Sequence, residues 1–126
     1  MNTSIAPLLN VRTGTRAVEF YENAFGAEVL MQAGDESSIV AHLSIDGAEF
    51  WLADESPKNQ NPSPSTLNGS SFRMILIAAD PDALFKRAIA AGAKEIWPVA
   101  DQDYGWRVGR VVDPFGHHWE IGKSLH

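Results

Sequence analysis

The sequence contains no cysteine. This absence excludes disulfide bonds and thiolate metal sites, and it agrees with a cytoplasmic location. Basic residues are also few, because 10 Lys and Arg stand against 16 Asp and Glu and give a formal charge of -6 at pH 7. A nucleic-acid or anionic-membrane surface needs a basic patch, so we expect neither kind of partner.

Long hydrophobic runs are absent as well. No apolar stretch approaches the ~18 residues that a membrane-spanning helix needs. The first residues, Met1 to Pro7, lack the basic and apolar regions of a signal peptide. We therefore expect a cytoplasmic protein, and a length of 126 residues favours one domain with its own core.

The most informative stretch that is present runs from Gly105 to Gly122. It is typical of a hairpin, with strands predicted over 106–112 and 117–121. The turn between them, Asp113–Gly116, has a proline that fixes φ and a glycine that tolerates positive φ.

Alternation along the second strand of this hairpin divides its side chains between two faces. His118 and Glu120 share one face, which makes them candidate site residues. His117 and Trp119 share the other, where we expect His117 to be structural and Trp119 to belong to the core. We expect Asp113 to stabilise the turn by accepting hydrogen bonds from nearby backbone amides.

The same order of elements occurs twice along the chain. Each half is predicted to contain a strand, a helix and three further strands. The predicted strands are 5–11, 28–32, 38–45, 49–53, 72–77, 94–97, 106–112 and 117–121, and the helices are 16–25 and 82–91. The similar glycine-containing helix ends, Ala24–Glu28 and Ala90–Glu95, support a repeat.

A single βαβββ unit cannot cover both faces of its sheet. Two tandem units form a curved mixed sheet with helices outside and a cup inside, so the predicted class is α+β. We expect one domain over 1–126, with units at roughly 1–54 and 70–126. The intervening 55–69 is rich in Pro, Asn and Ser, and we expect a weakly ordered linker or mobile flap.

Essentially the whole chain resembles the vicinal oxygen chelate superfamily, which includes glyoxalase I, bleomycin-resistance proteins, fosfomycin-resistance transferases and extradiol dioxygenases. The resemblance rests on Arg16–Gly26, Ala88–Ala93 and Asp113–Glu120. It implies the glyoxalase/bleomycin-resistance fold, and often a homodimer in which a partner chain completes the cup. It implies no single activity, because the superfamily supports many chemistries on one scaffold.

In metal-dependent members of that superfamily, His, Gln or Glu ligands face the cup from the first and last strands of both units. Superposing the two predicted hairpin turns places Trp51 at the position of Glu120. The first strands offer Ala6 in one unit and Phe72 or Arg73 in the other. Zn and Ni sites use three or four ligands, so we expect no standard metal site and no cofactor.

The favoured function is a small-molecule binding protein that sequesters a drug or metabolite. An aromatic cup with an acidic residue suits a cationic or amphipathic aromatic ligand. Glu120 is the candidate catalytic residue. Arg107 is one of the expected ligand-binding residues, and its alternative interpretation is a salt bridge with Asp101 or Asp103. The expected ligand-binding residues are Leu8, Asn10, His42, Trp51, Met74, Trp106, Arg107 and His118.

The alternative function is a metal-dependent lyase, isomerase or dioxygenase. His42, His118 and Glu120 would then hold a divalent ion in a non-standard site, where the metal acts as a Lewis acid and a carboxylate moves the proton. A third class is a structural or regulatory dimer with a vestigial cup. From the sequence, it stays open whether the protein is an enzyme.

Overall fold

The computed structural model describes residues 2–126. Three α-helices and eight strands follow one another in these residues. Their bounds in chain order are β1 Leu8–Val11, α1 Gly14–Phe25, β2 Glu28–Asp35, β3 Ser38–Ile45, β4 Ala48–Asp54, α2 Pro64–Leu67, β5 Arg73–Ile77, α3 Pro81–Ala91, β6 Lys94–Asp101, β7 Trp106–Val112 and β8 His118–Ser124.

The strands form two four-stranded sheets of the same topology. The first has the order β1-β4-β3-β2 and the second the order β5-β8-β7-β6. The pairs β1–β4 and β5–β8 are parallel, and the remaining pairs are antiparallel. This arrangement confirms the predicted α+β class with two βαβββ units.

Helix α1 begins against a carboxylate from a distant strand. Asp54 accepts hydrogen bonds from the backbone N–H of Gly14 at 2.9 Å and of Ile39 at 2.8 Å. Thr13, at the N-cap position, makes no side-chain cap. Asp54 therefore satisfies an N–H that the helix itself cannot, and it ties the helix to the sheet.

The helix-facing sides of both sheets share one core. The ring of Trp119 on β8 lies 5.5 Å from Tyr21 and 4.7 Å from Phe25 of α1, measured between centroids. It also lies 5.7 Å from Phe50 of β4. Trp119 is 2% exposed, which confirms its predicted place in the core and shows that the units pack through their helix sides.

A buried carboxylate organises the last hairpin. Asp113 accepts hydrogen bonds from the backbone N–H of Phe115 at 2.9 Å and of His117 at 3.0 Å. Its second oxygen accepts from the indole N–H of Trp119 at 3.0 Å and from the hydroxyl of Tyr21. Burial and the Asp113 charge raise the pKa of Tyr21 well above its usual range, so the hydroxyl remains a donor. The predicted turn-forming role of Asp113 is confirmed.

His117 is structural, as expected. Its side chain is buried, and its Nε2 lies 2.8 Å from the backbone oxygen of Asn10. This contact joins the start of β8 to β1, and so it connects the two units.

Strand β6 extends beyond its predicted end at Trp97. It continues through Pro98 to Asp101. The strand lies at the edge of its sheet, and its pairing with β7 is irregular between Trp97 and Ala100. Proline is tolerated there because an irregular edge position needs no N–H for a second neighbour.

The segment 55–69 carries more structure than its composition indicates. Glu55 accepts hydrogen bonds from the Ser63 backbone N–H at 2.8 Å and the Thr66 hydroxyl at 2.7 Å, and it pairs with Arg12 at 3.3 Å. These donors lower the pKa of Glu55 to about 2. Hydrogen bonding to one carboxylate thus orders a segment that has few apolar residues to bury.

Candidate functional site

One face of the second sheet points away from the helices. We call it the second open face, and the strand registers define its members. They include Arg73, Ile75 and Ile77 of β5, Trp106, Val108 and Arg110 of β7, and His118, Glu120 and Gly122 of β8.

The apolar half of this face forms an open cavity of about 370 Å³. Ile75 and Ile77 are 65% and 63% exposed, an unusual state for large aliphatic side chains that lie side by side. The volume falls within the range of small-molecule sites. The lining residues are Ile75, Ile77, Tyr104, Trp106, Val108, Glu120 and Gly122.

The polar half forms a smaller cavity of about 140 Å³. Its lining residues are Ser70, Ser71, Phe72, Arg73, Arg110 and His118. No carboxylate belongs to this lining. The two halves lie on one continuous face because Arg73 and Ile77 belong to the same strand and alternate to the same side.

Glu120 separates the two halves and is held by two guanidinium groups. Its Oε2 accepts a hydrogen bond from Nη2 of Arg110 at 2.7 Å and is paired with Nε of Arg73. The Arg110 guanidinium also lies over the Trp97 ring, 5.5 Å from its centroid. The Glu120 side chain is only 13% exposed, so its charge is neutralised largely by these two partners.

The first sheet has a corresponding face with different residues. Across the strand registers, Trp51 lies between Leu8 and His42, as Glu120 lies between Ile75 and Arg110. We call the face that carries Leu8, His42 and Trp51 the first open face.

The His42 ring stacks on Trp51 with centroids 4.1 Å apart and planes at 2°. Its Nε2 lies 2.8 Å from Oε1 of Glu49. A stacked aromatic pair therefore occupies the place that the charged cluster holds on the second sheet.

A protein-family model for the Glyoxalase/Bleomycin resistance protein/Dioxygenase superfamily matches residues 4–121. The chain belongs to this superfamily. The match covers both units and the segment between them.

Several known proteins are similar to this chain over nearly its whole length. An uncharacterized protein of Mycobacterium bovis is 37% identical over 127 residues, which cover 97% of this chain and 84% of that protein. Among solved structures, a gene product of Arabidopsis thaliana has a TM-score of 0.78 at 27% identity, covering 98% of this chain and 100% of that one. TioX from Micromonospora sp. ML1 has a TM-score of 0.72 at 26% identity and covers 97% and 96%. These matches confirm the glyoxalase/bleomycin-resistance fold.

The registers settle which residue of the second unit is equivalent to Ala6 of the first. Leu8 pairs with Trp51 and Ile75 pairs with Glu120. Two residues earlier on the same faces stand Ala6 in the first unit and Arg73 in the second. The ambiguity between Phe72 and Arg73 is therefore resolved in favour of Arg73.

The structure distributes the predicted site residues over several places. Trp106, His118 and Glu120 lie on the second open face, and His42 and Trp51 lie on the first. Leu8 and Asn10 line a separate cavity of about 100 Å³ beside the segment 62–72. One chain therefore does not bring these residues together in one cavity.

The prediction placed Met74 in the cup, and the structure corrects this. Met74 pairs with Trp119 across the β5–β8 register and packs against the core. It alternates with Arg73 and Ile75, which point to the opposite side.

The predicted position of Arg107 also needs correction. Its guanidinium donates to Asp82 at 2.7 Å and to Asp101 at 2.9 Å. The hydrogen bonds lower the pKa of Asp82 and raise that of Arg107. Arg107 thus joins β7 to the start of α3, in agreement with the salt-bridge interpretation for Asp101.

The alternative metal site is not assembled within one chain. In the described range 2–126, no three His, Asp or Glu side chains come together in an arrangement that could hold a metal ion. His42 contacts Glu49 on the first sheet, whereas His118 and Glu120 belong to the second. In addition, the guanidinium beside Glu120 repels the divalent ion that the site would need.

The sequence analysis did not predict Arg73 and Arg110 as ligand-binding or catalytic residues, although both belong to the site. The signal for Arg110 lies in the hairpin itself, since Val112 and His118 pair directly beside the turn. Counting two residues outward from that pair places Arg110 opposite Glu120. Arg73 required the parallel register of β5, which no turn specifies.

None of the helices within residues 2–126 has the length and apolar character that crossing a membrane requires.

Proposed function

We propose that the protein is a cytoplasmic binding protein that sequesters a small organic molecule on its second open face. The observation that carries this proposal is the cavity of about 370 Å³ whose walls include exposed Ile75 and Ile77. Burying such side chains under a ligand gains roughly 25 cal/mol per Å² of apolar surface. Tyr104 and Trp106 supply aromatic surface at the same cavity.

Binding in this proposal proceeds without a metal. The four positions at which related metalloproteins carry ligands hold Ala6, Trp51, Arg73 and Glu120, and only the last is a ligand type. The lone pairs of Glu120 already accept from Arg73 and Arg110. A guanidinium thus supplies the positive charge that a metal ion would bring to this carboxylate.

We further propose a homodimer in which the first open face of one copy covers the second open face of another. Two observations support this proposal. Large apolar side chains are exposed on both sheets, among them Met31 on the first and Ile75 on the second. His42 and Trp51 also lie on an open face yet line no part of the Glu120 cavity of their own chain. Superfamily members often dimerise, which agrees with this arrangement.

A matched pair of substitutions tests the binding site. Ile77 and Leu67 are each 63% exposed, but only Ile77 lines the cavity. We expect Ile77→Asn to weaken the quenching of tryptophan fluorescence by a panel of apolar ligands by about ten-fold in Kd, and Leu67→Asn to leave it unchanged. Equal effects of both substitutions would refute the proposed site.

The enzyme alternative makes a different prediction. Protein purified without chelator or affinity tag would contain stoichiometric divalent metal, and Glu120→Gln would lose it. Our proposal predicts no metal beyond background in either protein, and no thermal shift when Zn, Ni, Mn or Fe is added.

The shared cavity is tested by a substitution on the opposite sheet. Trp51→Ala should weaken ligand binding, although Trp51 is remote from the cavity of its own chain. Mixing Trp51→Ala with Trp106→Ala protein should restore full-affinity sites in heterodimers, because one of the two cavities then has both tryptophans. Absence of recovery in a mixture shown to exchange subunits would contradict the shared cavity.

A further inference from the structure

The polar cavity on the second open face is lined by donors. Its charged side chains are Arg73 and Arg110, and Ser70, Ser71 and His118 complete the polar lining. Arginine presents a planar fork that matches the oxygens of a carboxylate or phosphate. The composition of this lining is that of an oxyanion site.

The cluster also carries excess positive charge. Two guanidinium groups face one carboxylate, and within residues 2–126 Glu120 is the only ion-pair partner of either arginine. Arg73 remains 53% exposed and pairs with Glu120 through its Nε. In a chain of net charge -6, this local excess is a specific feature rather than part of a basic surface.

Two further nitrogens in this lining have unmet hydrogen-bonding capacity. Nε of Arg110 and Nδ1 of His118 are buried and lack a partner among the described residues. Buried polar atoms are normally paired, and leaving one unpaired destabilises the fold. Both side chains line the polar cavity, and the two unpartnered nitrogens lie beneath its surface rather than at it.

Glu120 lies between the polar cavity and the apolar one. Glu120 lines the apolar cavity and contacts both arginines. Along β5, the distance from Arg73 to Ile77 is about 13 Å, from four residues of strand rise. A ligand that reaches both ends therefore has a charged end and an apolar body of roughly eight to ten carbons in length.

We infer that the ligand is an amphipathic organic anion, whose carboxylate or phosphate group binds Arg73, Arg110, His118 and Ser71 while its apolar body lies on Ile75, Ile77 and Trp106. This inference rests on the proposed binding function and names its ligand class. Of the cationic or amphipathic aromatic ligand expected from the sequence, it replaces the cationic alternative, because the charge of Glu120 is already neutralised by the two arginines.

Three probes of equal chain length separate the contributions: octanoate, octanol and octylammonium, titrated by calorimetry at low and moderate ionic strength. Octanoate should bind about ten-fold more tightly than octanol, because its carboxylate accepts charge-assisted hydrogen bonds from the arginines. Octylammonium should bind most weakly of the three. The preference for octanoate should decrease as salt increases.

Arg73→Gln should remove the preference for octanoate and leave the affinity for octanol within two-fold. Arg16→Gln is the matched control, because it removes the same charge from helix α1 and should change neither affinity. Thermal unfolding of both variants checks that the fold is intact. A replacement of Arg110 tests the same point from β7.

The possible outcomes test the anion site and the proposed binding function separately. Equal binding of octanoate and octanol, unaffected by Arg73→Gln, would overturn the anion site and leave the binding function standing. A preference for octylammonium would also overturn it. Failure of all three probes to bind would contradict the binding function itself.

Discussion

The two open faces differ most at positions that their strand registers make equivalent. On the first sheet, an aromatic stack occupies the centre, with the ring of His42 4.1 Å from that of Trp51 and Leu8 beside it. His42 also contacts Glu49, whose side chain is 52% exposed.

On the second sheet, the same three positions hold Arg110, Glu120 and Ile75. A carboxylate that is only 13% exposed joins two arginines. Strands of the same topology therefore carry an aromatic stack on one sheet and a charged cluster on the other. The strand register determines where a side chain lies, and the residue at that position determines what it can bind.

The largest expected effect comes from the hairpin that distinguishes the units. Asp113 accepts four hydrogen bonds from buried donors, whereas the equivalent hairpin of the first unit has the exposed Asp46. Asp113→Asn replaces one acceptor oxygen with a donor that faces Trp119 and Tyr21. We expect a loss of about 3 kcal/mol in the free energy of unfolding, measured with urea.

The control at the first hairpin is Asp46→Asn. Asp46 has a positive φ of 51°, a conformation that asparagine also tolerates. We expect a change below about 0.5 kcal/mol there. Similar losses from the two substitutions would contradict the assigned role of Asp113.

The next largest effect on stability is expected from replacing Glu120, and Glu49 on the first sheet serves for comparison. Glu120→Gln leaves Arg73 and Arg110 close together without a counter-charge, and we expect unfolding to become easier by about 1–2 kcal/mol. Glu49→Gln removes an exposed partner of His42 and should change stability by less than about 0.5 kcal/mol. If Glu120→Gln were neutral while Glu49→Gln destabilised, the charged cluster would have no structural role.

The smallest effect concerns Glu55, which orders the segment between the units. Its pKa of about 2 in the folded protein lies below the ~4.3 of an unfolded chain. Folding therefore favours its ionised form, and this stabilisation is complete above pH 5 and is lost as the pH falls toward 2. Urea unfolding of wild type and Glu55→Gln should differ most at neutral pH and converge near pH 2. A gap that stays constant over this range would contradict the assignment.

The fold was accessible from the sequence because its signals are local. Gly26 ends α1 in the left-handed conformation, with φ of 69°. Asp80 accepts a hydrogen bond from the N–H of Ala83 at 3.1 Å, with Pro81 at the first helical position. Repetition of these signals sufficed to predict two units of one topology.

The site was predicted only in part because its composition depends on strand parity. Moving one residue along a strand changes the face, so Met74 and Arg107 were assigned to the cavity although Arg73 and Trp106 occupy its face. Whether His118 and Glu120 contact a ligand stays a prediction. The hydrogen bonds that order 55–69 join Glu55 to partners distant in the sequence, and no local sequence pattern predicts them.

The central claim is that the second open face binds the ligand, with the first open face of another copy above it. The four tryptophans give separate indole N–H signals in NMR, and they lie at distinct places in the fold. Titration with octanoate should shift the signals of Trp106 and Trp51 and leave that of the buried Trp119 unchanged. A Trp106 signal that stays unchanged at saturating octanoate would contradict the account.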